Sequence, residues 1–494
     1  MLEKIKEAPN LTMGNSMYKC TKKRKDSFNV KQLKKAIKLS KNLKFQKHIR
    51  TFSALFNTDR MKEILKRTRR RVFTDRDKLI ALSLYKQNPH IYRLLCNIYI
   101  LPPVPLLQKL ASEYLPGMNV RLLAKLKLRA ERLSKLKKMC VLMFDEVVVA
   151  PTVNYKQRKH LKKRGMSTYA DRVYIFMIRL IFTKKNQPVA YKFSIGRLNP
   201  SYMQMCIKCI ISQLQDCGFN VMATVCDQNA RNVAVINALI EETNKIYKDI
   251  NKNREGAVFV LNKQVIAPMY DASHLIKGIR NDLIENNLHM TIGDNICIAK
   301  WEHIVSYTKF VTYLLTKRHV DLKKMNRLDA ECAKLTMSDG DGRFMMSIAH
   351  SRARCVQSEP KGFPVEAMST GCVMKFFGEL TKSMSGGYSE YREDEPLLRG
   401  VSRKSVHNKL WETSAKALKT AKFIDKEGKE VSTHSIDCWI QTLDNARYLS
   451  NKMFKKFHIR KFFITRFNMY PLQEFIRRIR LSYGCYNIRT YEIK

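Results

Sequence analysis

Three aspartates in this sequence follow short apolar runs. Asp145 comes after Cys140–Phe144 (CVLMF), Asp227 after Val221–Cys226 (VMATVC) and Asp271 after Val265–Tyr270. Such a run reads as a buried strand, which fixes its last residue rigidly where the loops open to solvent. Carboxylates held there suit Mg²⁺, a hard cation that takes oxygen ligands. Two acids bind such an ion weakly. With a third they can hold two ions that activate a water or a 3′-hydroxyl and stabilise the leaving oxygen of a phosphodiester. The plainer reading is that a strand-end Asp caps the helix after it. For Asp227, ahead of Ala230–Ile246, both readings stand, whereas Asp271, at the start of Ser273–Leu288, reads as a cap or a support to the site rather than a metal ligand.

The elements that must position these acids alternate in type. Val173–Phe182, broken by Arg179, and Val189–Ile195 add two more strands, and Tyr202–Leu214 has helical spacing with Gly218 as its stop. An α/β sheet follows, with carboxylates at the ends of several strands. Upstream, Thr74 and Asp77 form a capping-box-like start to a helix ended at Asn88–Pro89. Short helices over Ile91–Ile98 and Leu106–Leu115 follow, compatible with a helix-turn-helix unit or with any small bundle. Residues 290–450 read as mostly helical, and Pro471–Leu481 as a final helix with Pro471 in its first turn.

Charge points to the partner. The 494 residues hold 92 Lys+Arg against 43 Asp+Glu, a net charge of +49. That favours a polyanion, nucleic acid ahead of a membrane surface. Residues 1–75 read as a basic arm with one amphipathic helix carrying Val30, Leu33 and Ile37 on one face. Lys156, Arg158, Lys159, Lys162, Lys163 and Arg164 follow the Asp145 strand closely enough for phosphate contact. No apolar run nears the roughly 18 residues of a membrane span, and the first ten residues lack a signal-peptide core. Thirteen cysteines without framework spacing fit a reducing, intracellular compartment. Cys206 and Cys209, with Cys217 and Cys226, read as small buried hydrophobes rather than zinc ligands.

The strings VLMFDEV (141–147), VCDQNARN (225–232) and YDASHLIKGIRNDL (270–283) resemble the RNase H-like catalytic domain of P-element-type and THAP-domain transposases. The third is the most specific, with Asp271, His274, Lys277, Arg280 and Asn281 at the family's spacing. The resemblance extends over roughly residues 75–490 and implies an α/β fold: an RNase H-like mixed sheet flanked by helices, with a large, mainly helical insertion and an N-terminal helical region. The implied organisation is a basic arm (1–73), a helical segment (74–125), the first part of the RNase H-like domain (126–289), the insertion (290–450) and the domain's last part (451–494).

By the same resemblance Asp145 and Asp227 match the metal-binding aspartates, for Mg²⁺ or Mn²⁺. The family's third acid is a glutamate on the last helix. Here Pro471, Leu472, Phe475, Ile479 and Arg480 hold that register and put Gln473 at its position. Gln is nearly isosteric with Glu but neutral, so it cannot balance a second divalent ion. Glu474 is adjacent but points about 100° away on a helix, and rescues the site only if the helix is rotated. Arg477 and Arg478 on that helix are candidate DNA contacts. The family binds GTP in the insertion, where Lys382 and Ser385 depart from its acidic and Asn positions, and the paired ligands of its zinc finger are missing from residues 1–95. The expectation is a nuclear P-element-type DNA transposase or transposase-derived DNA-binding protein, with DNA and a second copy of itself as partners and with metal-dependent DNA strand cleavage and transfer impaired by Gln473. An RNA- or chromatin-associated basic protein is the alternative.

Overall fold

The computed structural model describes residues 73–87, 89–98, 101–107, 120–150, 170–249, 256–310, 315–354, 363–387, 394–482 and 488–489. The basic arm up to residue 72, most of Leu106–Leu115 and the run Lys156–Arg164 lie outside the described residues. The chain divides into two compact units, residues 1–109 and 110–494.

In the first unit, helices α1 (Asp75–Gln87) and α2 (Pro89–Ile98) meet at the expected Asn–Pro break. Thr74 and Asp77 cap α1 reciprocally, each backbone N–H donating to the other's side chain at 3.2 Å. The buried Tyr92 hydroxyl donates to the Pro102 carbonyl at 2.7 Å and ties α2 to the following turn.

The second unit opens with α3 (Val120–Glu131) and is built on a sheet of β1 (Met139–Ala150), β2 (Arg172–Leu180), β3 (Asn186–Ser194), β4 (Asn220–Cys226), β5 (Phe259–Leu261) and β6 (Gln264–Tyr270). The order is β3-β2-β1-β4-β6-β5, with β13 (Ile488–Arg489) joining β1 in parallel. Strands β1 to β3 are antiparallel, while β4 runs parallel to β1 and β6 parallel to β4. Helices α4 (Pro200–Asp216) and α5 (Ala230–Asp249) connect them, and α6 (Ala272–Glu285) leads out of β6. The parallel strands need such crossovers, and their near-continuous apolar runs follow from burial on both faces. Cys140 to Met143 and Val221 to Ala223 are fully buried. Each large side chain so buried contributes about 1.5–3 kcal/mol.

Two expectations need correction. The first strand does not end at Phe144. It continues to Ala150, paired with β2 as far as Val148↔Arg172, because β2 remains alongside after β4 has stopped. The insertion is mainly helical, as expected, but the helix before it stops short of Leu288 and a small sheet follows. β7 (Asn287–Ile292), β8 (Asn295–Ala299), β10 (Lys422–Ile424) and β11 (Glu430–Val431) form a four-stranded antiparallel sheet, β11-β10-β7-β8. Asn286 ends α6, and β7 follows over residues that looked like the tail of a helix. A six-residue strand with Gly293 at φ +63° in its turn gives little periodic signal.

The rest of the insertion is α7 (Trp301–Tyr307), α8 (Lys317–Val320), α9 (Ala330–Thr336), α10 (Asp339–Arg354), α11 (Ala367–Ser385), the short β9 (Val401–Ser402) and α12 (His407–Leu418). The chain then returns through α13 (His434–Asn451), a π-helix over Lys452–Lys456, β12 (Lys461–Phe462) and α14 (Tyr470–Ser482). Buried polar groups seat α13 on the sheet. Thr442 Oγ1 accepts from the Tyr270 N–H at 3.0 Å, and Asn445 Nδ2 donates to the Pro268 carbonyl at 2.6 Å.

A candidate carboxylate site at three strand ends

The register explains why three aspartates gather. The last registered pair of β1 and β4 is Met143↔Val225, so Asp145 and Asp227 each lie two residues beyond it. The last pair of β4 and β6 is Cys226↔Tyr270, so Asp227 and Asp271 each lie one residue beyond that. Three adjacent strands therefore present an acid at the same end of the sheet.

Each acid has a different neighbourhood. Asp145 is half-buried, and its Oδ1 accepts from the Glu146 N–H at 2.8 Å. Burial first, then the nearby Asp227 carboxylate and, more weakly, Asp271, push its carboxyl up to about 8. Such crowding is what a cation would relieve. Glu146 belongs to the other face, where Arg172 and the Tyr174 hydroxyl hold it.

Asp227 does not cap α5. Asn229 does, its Oδ1 accepting from the Asn232 N–H at 2.9 Å. Asp227 Oδ1 instead accepts from Asn229 Nδ2 at 2.6 Å and Asn232 Nδ2 at 2.5 Å. Two amides thus aim one oxygen of the carboxylate. Asp271 is the opposite case. It is buried and caps α6, accepting from the Ser273 and His274 N–H groups at 3.1 and 3.3 Å. Its other oxygen accepts from the Met469 N–H at 2.9 Å, across 198 residues, and so docks the lead-in to α14.

The family-spaced residues of α6 have distinct places. His274 lies between Lys277, whose Nζ is 3.3 Å from Nδ1, and Gln473, whose Nε2 is 2.9 Å from Nε2. Burial draws this imidazole below its usual value, which favours the neutral ring. An ammonium can only donate, so Nδ1 accepts and the ring proton sits on Nε2; a half-turn of the Gln473 amide then gives it a carbonyl acceptor. Arg280 is fully buried and faces away from the acids. Its guanidinium donates to the Arg327 and Asp329 carbonyls at 3.0 and 3.3 Å, and Asn281 donates to the Arg327 carbonyl at 3.2 Å. Both pin the loop before α9.

On α14 the two candidate third ligands part company. Gln473 turns toward His274. Glu474 turns to its own helix, accepting from Arg477 and Arg478 at 2.7 Å each, and these hydrogen bonds draw its carboxyl down to about 2. Arg477 and Arg478 are exposed but paired in this way.

Two residues were missed as parts of the site. Arg179 Nη1 donates to the Thr465 carbonyl at 2.6 Å and to Asn468 Oδ1 at 2.8 Å, anchoring the turn before α14. Its sequence signal was a lone Arg in an apolar strand. Gln228 Nε2 donates to the His274 carbonyl at 2.9 Å and passes over Gly278, where an added Cβ would stand 1.8 Å from that nitrogen. A glycine in mid-helix was the only hint.

The donor set fits one hard cation between Asp145 and Asp227. It does not fit the family's three-acid arrangement, since Gln473 is neutral and engaged. Among the described residues no three His, Cys, Asp or Glu side chains converge closely enough to hold a metal ion. The two insertion positions singled out in the sequence have these places. Lys382 is bound to Asp339 at 3.0 Å and Glu395 at 3.1 Å, and Ser385 ends α11. Of the cysteines once grouped, Cys217 and Cys226 are buried, Cys206 is half-buried and Cys209 is exposed, so the last is not a core residue. No described helix is long and apolar enough to cross a membrane.

Comparison with known proteins bears on the fold. Residues 114–240 match the family described as TNP-like, RNase H N-terminal domain. The fold is similar to that of the Drosophila P element transposase strand transfer complex, with a TM-score of 0.66 and 17% identity over 90% of this chain and 96% of that one. No curated protein matches the sequence.

Proposed function

We propose that this chain, which carries a TNP-like RNase H N-terminal domain within a P-element-transposase fold, is a transposase-derived protein that binds DNA in the nucleus but has lost most of its strand-cleaving chemistry. The observation that carries the second half is the pairing of Gln473 with His274 while Glu474 is held by Arg477 and Arg478. The net charge of +49 and the similarity to a transposase strand transfer complex support the first half.

Asp145 and Asp227 would hold one Mg²⁺ or Mn²⁺, which when bound polarises a phosphodiester and acidifies water. Asn229 and Asn232 orient Asp227 for that role, and Asp271 keeps α6 and the approach to α14 in place. His274, neutral, receives the Lys277 proton donor and faces Gln473. No third carboxylate is then left to hold a second ion, which would stabilise the leaving oxygen, so cleavage is slow even with one metal.

Duplex DNA titrated across a salt series tests the binding. Affinity should fall steeply as salt rises, and a flat response removes the DNA-binding claim. Robust Mg²⁺- or Mn²⁺-dependent nicking by the wild-type chain, abolished in Asp145→Ala, would overturn the loss of chemistry.

A further inference from the structure

A cavity of about 620 Å³ lies at the other end of the same sheet. It takes in Asn220 and Gln264, the first residues of β4 and β6, whereas the aspartates follow the last residues of those strands. At about 3.3 Å per residue, a seven-residue strand separates the two places by roughly 20 Å. Its lining includes Lys263, Lys452, Lys455 and Lys456 and no Asp or Glu.

The fold brings these lysines together by construction. Where α13 ends, the helix widens into the π-helix Lys452–Lys456, a form that recurs at functional sites. Lys452 turns inward. Its Nζ donates to the Val265 carbonyl at 3.0 Å and lies 5.4 Å from the centre of the Tyr448 ring, so one ammonium is built into the wall. Lys455 and Lys456 are exposed. Opposite them, Asn262 and Lys263 occupy the β5–β6 turn with φ of +49° and +63°. Glycine suits such a position better, and a lysine there holds a charge at the rim instead. The floor is a chain of amides: Gln215 Nε2 donates to Gln264 Oε1 at 2.6 Å and Asn262 Nδ2 to Gln215 Oε1 at 2.8 Å.

Four like charges around one cavity repel. Burial, and then Lys456, bring the Lys452 ammonium down to about 8. A row of phosphates would reverse that, and lysines suit them as point charges. We propose that this lysine-lined cavity binds the phosphodiester backbone of a DNA segment remote from the carboxylate site. The proposal rests on the DNA-binding reading above.

The test is the salt dependence of duplex binding by Lys455→Gln/Lys456→Gln, two exposed positions, against Lys404→Gln/Lys409→Gln, an equal loss of charge on exposed residues elsewhere. If both lysines meet phosphates, the slope of log K against log salt should become shallower by about 1.8, and the control slope should stay near wild type. A steep wild-type slope unchanged in Lys455→Gln/Lys456→Gln overturns this proposal and leaves DNA binding intact. Equal changes in both double variants overturn it too, because total charge rather than place would then govern. A flat wild-type response overturns both readings.

Discussion

Gln473 and His274, 199 residues apart, meet with 2.9 Å between their side-chain nitrogens, while Glu474, one position on, is held by two arginines of its own helix. That single rotation decides which residue of α14 can serve the three aspartates.

Gln473→Glu should therefore strengthen Mn²⁺ binding by about tenfold or more, about 1.4 kcal/mol, because it adds a charge beside two existing carboxylates. Isothermal titration calorimetry reads this directly. Glu474→Gln should leave the affinity unchanged. An Mn²⁺ affinity that drops in Glu474→Gln would mean that the helix presents its other face to the metal.

Asp145→Asn should raise the melting temperature in the absence of divalent ions, since it removes a desolvated carboxyl crowded by Asp227 and Asp271. The same substitution should abolish any stabilisation of the wild type by Mg²⁺ or Mn²⁺. Differential scanning calorimetry with and without ion gives both readings, and a lower melting temperature in chelator contradicts the crowding argument.

Arg179→Gln should destabilise the second unit by about 2 kcal/mol, the usual cost of losing buried hydrogen bonds to a charged donor. The loss should be local. Amide hydrogen exchange over 470–482 should speed up more than exchange in β1 or β4, and uniform acceleration would place the anchor elsewhere.

His407 offers a pH dependence independent of the carboxylate site. Trp411 Nε1 donates to Ser383 Oγ at 2.9 Å, that hydroxyl stands 2.7 Å from His407 Nδ1, and Nε2 faces the Arg399 carbonyl at 3.2 Å. The chain is satisfied by a neutral ring, and burial brings this imidazole from 6.5 down to about 4. A depressed folded value means stability fully present above pH 6.5 and lost as pH falls toward 4, about 3 kcal/mol in all. Urea midpoints measured from pH 7 to pH 4 should show this loss, and His407→Gln should flatten that part of the profile.

Much of this was legible in the primary sequence. The apolar strands leading into Asp145, Asp227 and Asp271, the break at Asn88–Pro89 and the excess of lysine and arginine are local patterns, and burial period and capping chemistry are local causes. Other outcomes needed the folded chain. Whether Asp227 caps a helix depended on Asn229 taking that bond first. Whether Asp145 ends its strand depended on β2 outlasting β4. Arg179, Gln228 and the Lys452 wall act through partners dozens to hundreds of residues away. Sequence order fixes which groups are available, but burial and distance between remote segments set their charge and direction, and only tertiary packing decides those.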